Sequence, residues 1–88
     1  MATLVANNNF SLSDISDVGQ ALQYASSNPG EKPCRAIRSY LAEVRNWKGY
    51  RFLVIEQINW DDDFAINGPC TYAVWKFNNK FYSVLWMI

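Results

Sequence analysis

The C-terminal part of the chain alternates in the way that is typical of a β-hairpin. Thr71–Phe77 and Lys80–Ile88 are rich in β-branched and aromatic residues, and only Asn78–Asn79 separates them. Asparagine tolerates the positive φ that a type I′ turn requires at both central positions. With that turn, Trp75 pairs with Tyr82. The pattern therefore predicts a hairpin whose register is fixed by its own sequence.

Both faces of this hairpin are rich in apolar side chains. The first face carries Thr71, Ala73, Trp75, Phe77, Tyr82, Val84, Trp86 and Ile88. The second face carries Tyr72, Val74, Lys76, Phe81, Ser83, Leu85 and Met87. A half-buried antiparallel hairpin normally alternates apolar with polar residues. We therefore expect both faces to be covered, the first by the protein's own helices and the second by another molecule.

Earlier in the chain, apolar residues recur at helical spacing and predict a first helix from Ser11 or Leu12 to Ser26. Its apolar side is formed by Leu12, Ile15, Val18, Leu22 and Ala25. Ser11 and Asp14 have the spacing of a capping box. Asp17 is predicted on the polar side, where its negative charge would interact favourably with the positive end of the helix dipole.

A second helix is predicted over residues 33–47, because proline is favoured as the first residue of a helix. Its apolar side would consist of Ile37, Tyr40, Leu41, Val44 and Trp47, and Gly49 would end it. Tyr50–Ile58 then predicts a strand, and Thr3–Ala6 predicts a short one ahead of an asparagine run.

These elements predict one α+β domain over residues 1–88. It would be two-layered, with two N-terminal helices packed on one face of a three- to four-stranded antiparallel sheet ending in a β-hairpin. We call the hairpin face that carries Trp75 the inner face, because the helices should cover it. The face that carries Phe81 is the outer face, which would continue onto Leu53 and Ile55 as an exposed apolar patch.

Exposed apolar patches on soluble proteins usually mark contact sites. The leading hypothesis is therefore a small, non-enzymatic interaction protein that docks this face on a protein partner or on its own copy. The predicted contact residues are Tyr72, Val74, Phe81, Leu85 and Met87, with Lys76 and Arg51 orienting the partner. Small size and abundant aromatic residues also suit accessory or inhibitor proteins of phages and mobile elements.

Charge offers a second hypothesis. The formal net charge is zero, which disfavours bulk nucleic acid and anionic membranes as partners. Even so, six of the eight lysines and arginines fall between Lys32 and Arg51. Arg35, Arg38 and Arg45 would form a stripe on the second helix that could contact nucleic-acid phosphates. No apolar run is long enough to cross a membrane.

A third hypothesis is a small-ligand or effector-binding domain with an aromatic pocket formed by Tyr24, Trp47 and Trp60. Catalysis is not expected, because the chain has no histidine and no recognisable catalytic or phosphate-binding motif.

Cys34 is the least implausible reactive group, since a helix start and nearby cations would lower its thiol pKa. Cys70 has no such surroundings, and with no export signal both thiols are expected to be reduced in the cytoplasm. The acidic run Asp61–Asp63 lacks the spacing of a calcium loop. No metal or other cofactor is expected.

Overall fold

A computed structural model of the chain describes residues 2–59 and 71–86. Its elements are β1 (Thr3–Asn8), α1 (Leu12–Ser27), α2 (Pro33–Ser39) with a π turn (Tyr40–Val44), a 3-10 turn (Trp47–Gly49), β2 (Phe52–Gln57), β3 (Thr71–Phe77) and β4 (Lys80–Trp86). The four strands form one antiparallel sheet in the order β1-β3-β4-β2. The predicted α+β fold is confirmed, and the N-terminal segment supplies the fourth strand.

The β3–β4 hairpin has the predicted turn and register. Asn78 and Asn79 have φ values of 52° and 63°, as a type I′ turn requires. Trp75 pairs with Tyr82. β2 pairs with β4 along all of its six residues. β1 pairs with β3 and carries an irregularity between Leu4 and Ala6.

The core lies between the helices and the inner face of the sheet. The sheet contributes Ala73, Trp75, Phe77, Tyr82 and Val84, all of which are buried. An aromatic cluster closes one end of this core, where the ring centroid of Trp47 lies 5.5 Å from those of Phe52 and Trp86. The prediction that the helices cover the Trp75 face is therefore confirmed.

α1 begins with the predicted capping box. The backbone N–H of Asp14 donates to Ser11 Oγ at 3.1 Å, and the backbone N–H of Ser11 donates to Asp14 Oδ2 at 3.3 Å. Two side-chain predictions for this helix are wrong. Leu12 is 87% exposed, because it occupies the first helical position, ahead of the turns that pack on the core. Asp17 is buried, because two side chains from beyond α2 bind its carboxylate.

The second helix ends earlier than predicted. After Ser39 the chain makes a π turn, in which the backbone N–H of Arg45 donates to the Tyr40 carbonyl at 3.2 Å. Asn46 then adopts the left-handed conformation, with φ 62°, and ends the helix. The wider turn shifts the helical phase, so Val44 is exposed rather than in the core.

The bounds of two predicted strands also change. β1 continues through Asn8 and ends where Asn9 takes a φ of 73°. Tyr50 and Ile58 lie outside β2 and are exposed. Among the residues described, no helix is long and apolar enough to span a membrane.

Candidate functional site

The outer face of the sheet consists of three cross-strand rows. In the order β1, β3, β4, β2 they are Asn8-Tyr72-Leu85-Leu53, Ala6-Val74-Ser83-Ile55 and Thr3-Lys76-Phe81-Gln57. Every predicted contact residue in these strands therefore lies on one face. Arg51 directly precedes β2, and Met87 lies outside the described residues.

The centre of this face is not open, contrary to the expectation of an exposed patch across it. Val74 and Ser83, which are cross-strand neighbours in the middle row, are both 0% exposed. Larger side chains in the rows above and below flank them. Ser83 Oγ also donates to Gln57 Oε1 at 3.1 Å, which satisfies its hydroxyl group. Val74 therefore supports the shape of this face and offers no contact surface.

The most exposed apolar side chains of the sheet lie at its β2 side, although Leu4 and Val5 of β1 are exposed as well. Leu53 is 44% exposed, and Tyr50 and Ile58 are exposed at the two flanks of the strand. Tyr72, Phe81, Leu85 and Ile55 are half-buried. We call β2 together with Tyr50, Arg51 and Ile58 the β2 edge. The apolar part of the outer face thus continues to the end of the sheet.

A groove runs between α2 and the β2 edge. Its volume is about 230 Å³, and Cys34, Arg35, Arg38, Phe52, Leu53 and Val54 line it. Both arginines are exposed, and they lie one turn apart on α2. We call this feature the α2–β2 groove. It combines an apolar strand with two cations.

Arg45 does not join the other two arginines of the predicted basic stripe. Its Nε donates to Asp17 Oδ1 at 2.8 Å, while Trp47 Nε1 donates to Asp17 Oδ2 at 3.0 Å. The π turn separates it from the regular part of α2. The nucleic-acid hypothesis is therefore left with two neighbouring arginines instead of three.

The Asp17 network was missed in the sequence, although one signal was present. A buried tryptophan usually needs an acceptor for its indole N–H. Trp47 was predicted in the core, so a polar partner was required. Because Asp17 lies 30 residues earlier, the spacing did not identify it.

Cys34 lies beside a small polar cluster, and the prediction of a lowered thiol pKa is wrong. Burial raises the pKa of the Cys34 thiol, and the negative charge of Glu56 raises it further, while the backbone N–H of Glu56 opposes this shift. Tyr82 Oη donates to Glu56 Oε2 at 2.8 Å, and Lys80 Nζ lies 3.2 Å from Glu56 Oε1.

The same contacts shift the pKa values of two further groups. The bond from Tyr82, together with Lys80, lowers the pKa of Glu56. Burial and the Glu56 carboxylate raise the pKa of Tyr82. At neutral pH the cluster therefore contains a thiol, a phenol and an already paired carboxylate, which is a poor set for nucleophilic catalysis.

Two members of the predicted aromatic pocket lie in the described part of the chain. Tyr24 packs on Tyr40 at a centroid distance of 5.3 Å and against the core cluster, in which Trp47 is buried. Trp60 and the acidic run Asp61–Asp63 lie outside the described residues, as does Cys70. A groove of about 480 Å³ separates α1 from β1, and we call it the α1–β1 groove. It is lined by Ala2, Leu4, Ile15, Gly19, Gln23, Ser26, Trp75 and Phe77.

The chain matches no protein-family model, and neither curated proteins nor solved structures match it. Within residues 2–59 and 71–86, no group of three or more histidine, cysteine, aspartate or glutamate side chains is placed to hold a metal ion.

Proposed function

We propose that this protein is a small, non-enzymatic interaction protein that docks the outer face of its sheet, at the β2 side, onto another protein. One observation carries the proposal: Leu53 is 44% exposed at the end of a row that continues through Leu85 to Tyr72. These side chains stand on paired strands, so the surface is held in place before a partner arrives. A rigid apolar surface loses little entropy on binding.

The anchors in this proposal are Leu53, Phe81 and Leu85, with Tyr72 completing the apolar surface. Lys76 and Arg51 are exposed on opposite sides of it and would orient the partner through charge. A standard interface covers about 800 Å² on each partner. In this proposal the partner is a foreign protein or a second copy, and the two meet in the cytoplasm. The protein would act as an accessory or inhibitor protein of the kind encoded by phages and mobile elements.

The test places a photo-reactive amino acid at Leu53 and, as a matched control, at Leu12, which is an exposed leucine on α1. After irradiation in the cells that make the protein, position 53 should give discrete adducts that position 12 does not give. Mass spectrometry then separates a foreign protein from a second copy. Identical adducts at both positions, or none at position 53, would refute docking through this face.

A charge substitution then tests whether the outer face makes the contacts that give these adducts. Phe81→Glu places a carboxylate on the outer face, whereas Leu12→Glu places one on an exposed helix position. Phe81→Glu should remove the adducts of position 53 and keep the circular dichroism of the native protein. Leu12→Glu should change neither. Unfolding of the Phe81→Glu protein would assign Phe81 to the core and contradict the proposal.

A small-ligand function is the second candidate, because the α1–β1 groove is large enough for one. Ligand sites are roughly 300–1,000 Å³ and mostly apolar, and the groove is about 480 Å³ with mostly apolar walls. A Cβ atom added at Gly19 meets no atom within 4 Å, so Gly19→Ala is accommodated, and Gly19→Leu extends a larger side chain from the wall of the groove. A bound mass seen by native mass spectrometry in the wild type and in Gly19→Ala, but lost in Gly19→Leu, would establish this function.

A further inference from the structure

We propose that the β2 edge binds its partner by strand addition, and that the added strand is an extended segment with acidic side chains facing Arg35 and Arg38. This inference rests on the proposed function, since it specifies how a protein partner reaches the β2 side of the outer face. It identifies the partner segment by its backbone conformation and its charge.

The hydrogen-bonding direction of β2 follows from the hairpin. In the two-residue turn, the Lys80 N–H and the Phe77 carbonyl form the closing pair, and bonded pairs then alternate along the ladder. β4 therefore directs the backbone groups of Phe81, Ser83 and Leu85 toward β2. Their partners in β2 are Gln57, Ile55 and Leu53.

The remaining residues of β2 direct their backbone groups away from β4. These residues are Phe52, Val54 and Glu56. The backbone N–H of Glu56 makes a hydrogen bond to the Cys34 thiol on α2, which agrees with an N–H that points away from β4. Cys34 thus lies beside the Glu56 end of β2. Among the described residues, no strand pairs with this side of β2. The N–H and C=O groups of Phe52 and Val54 accordingly open toward the α2–β2 groove, which both residues line.

The two edges of the sheet differ in how they are protected. Edge strands are commonly blunted by bulges, lysines or prolines. β1 has an irregularity between Leu4 and Ala6, which interrupts a regular ladder. Phe52–Ile55 has no bulge, no proline and no charged residue. Of the two edges, β2 is therefore the better template for a new strand.

The groove suits side chains of a peptide better than a small molecule. Its volume of about 230 Å³ is below the roughly 300–1,000 Å³ of ligand pockets. Arg35 and Arg38 are three residues apart on a helix, which separates their Cβ atoms by about 5–6 Å. Alternate side chains of a strand are about 6.6 Å apart. Acidic residues at every second position of the partner would thus face these arginines in turn.

Charge decides which strand is added. Neither Arg35 nor Arg38 has an ion-pair partner within the described residues, whose two ion pairs are Arg45–Asp17 and Lys80–Glu56. A second copy docked by its own β2 would present the same surface across a two-fold axis. Arginines of one copy would then lie near those of the other. An acidic segment of a different protein is therefore the favoured occupant.

The experiment uses a fluorescent eight-residue peptide in which glutamate and valine alternate, with the matching lysine and valine peptide as its control. Fluorescence anisotropy at low salt should show saturable binding of the glutamate peptide and at least tenfold weaker binding of the lysine peptide. The double variant Arg35→Glu/Arg38→Glu should reverse this preference. Lys48→Glu, which reverses the charge of an exposed lysine outside the groove, should not.

A backbone substitution separates strand addition from simple charge attraction. Val54→Pro removes the outward N–H of Val54 without removing a bond to β4, and proline is tolerated at such edge positions. Val54→Ala is the matched control, because it also shortens the side chain but keeps the N–H. Peptide binding should fall at least tenfold in Val54→Pro relative to Val54→Ala, with circular dichroism showing both to be folded.

Equal binding by the two Val54 variants would overturn strand addition, and equal binding of the two peptides would overturn the acidic partner. Unfolding of Val54→Pro would contradict the assigned hydrogen-bonding direction. The Phe81→Glu variant keeps these outcomes distinct from failure of the proposed function. If Leu53 adducts depend on Phe81 but the peptide results fail, the outer face binds without strand addition.

Discussion

Removal of the Asp17 carboxylate should destabilise the protein more than its position on a helix surface would suggest. Asp17 accepts bonds from Arg45 Nε at 2.8 Å and from Trp47 Nε1 at 3.0 Å. The indole group belongs to Trp47, which is buried, whereas the Arg45 side chain is partly exposed. The two donors should therefore contribute unequally, and substitutions at Asp17 can separate them.

In Asp17→Ala, the indole N–H is left without its acceptor in the core, which costs about 1–3 kcal/mol. The loss of the partly exposed Arg45 pair adds about 0.2–1 kcal/mol. Alanine regains about 0.5 kcal/mol through its helix propensity. The net loss is about 0.7–3.5 kcal/mol, out of the roughly 4–13 kcal/mol expected for a domain of this size.

Asp17→Asn is the informative comparison, because its amide oxygen can still accept from Trp47. The amide NH2 group replaces Oδ1, the acceptor of Arg45, so this variant loses the Arg45 ion pair and keeps the indole bond. Because Arg45 is partly exposed, we expect a loss of about 0.2–1 kcal/mol. Arg45→Ala should cost a similar amount. Urea unfolding followed by circular dichroism at 25 °C measures all three variants. If Asp17→Asn destabilises the protein as much as Asp17→Ala, the indole bond is not the main contribution and the reasoning fails.

Three further predictions concern the turn and the polar cluster. Asn79→Ala should lower the free energy of unfolding by about 1–2 kcal/mol, because alanine disfavours the left-handed conformation, whereas Asn79→Gly should not; equal urea midpoints would refute this. Glu56 has a lowered pKa in the folded protein, so its stabilising contribution is present above about pH 4.5 and is lost at lower pH. Glu56→Gln should therefore lose less stability than the wild type when the pH falls below that value. An equal loss in the two proteins would contradict the assignment. In a Cys70→Ser background, Cys34 should react with iodoacetamide more slowly than free cysteine near neutral pH, because its pKa is raised; faster alkylation would show an activated thiol.

The features that the sequence predicts well depend on local chemistry. The hairpin register follows from two asparagines that tolerate positive φ, and the start of α1 follows from the Ser11–Asp14 capping box. The inner and outer faces then follow from the two-residue period of a strand. For these elements, nearby residues already select the conformation that the tertiary structure uses.

The features that the sequence misses depend on contacts between distant residues. Asp17 is buried because Arg45 and Trp47 bind it, and no helical pattern reveals a partner 28 or 30 residues away. The end of α2 depends on a π turn and on Asn46, whose left-handed conformation competes with a continued helix. The Cys34 pKa was predicted from the helix dipole, but burial and Glu56 dominate it.

The candidate site shows the same division. Membership of the outer face was predictable, since alternation assigns Tyr72, Phe81 and Leu85 to one side. The exposure of each member was not, because it depends on the strands that lie beside it. Val74 is enclosed in the middle row, while Leu53 stays accessible at the end of the sheet. The position of a strand within the sheet therefore determines which apolar residues can meet a partner.

The π turn allows the stretch between α2 and Asn46 to contain one residue more than a regular helix would. The backbone N–H of Arg45 bonds to the Tyr40 carbonyl five residues back, whereas a regular helix makes this bond over four residues. Deletion of Ala42 would place Arg45 four residues after Tyr40, so a regular turn would make the same bond and still present Arg45 to Asp17. The π turn thus absorbs a surplus residue locally, and removing one residue here should be less damaging than removing one from the regular turns of α2.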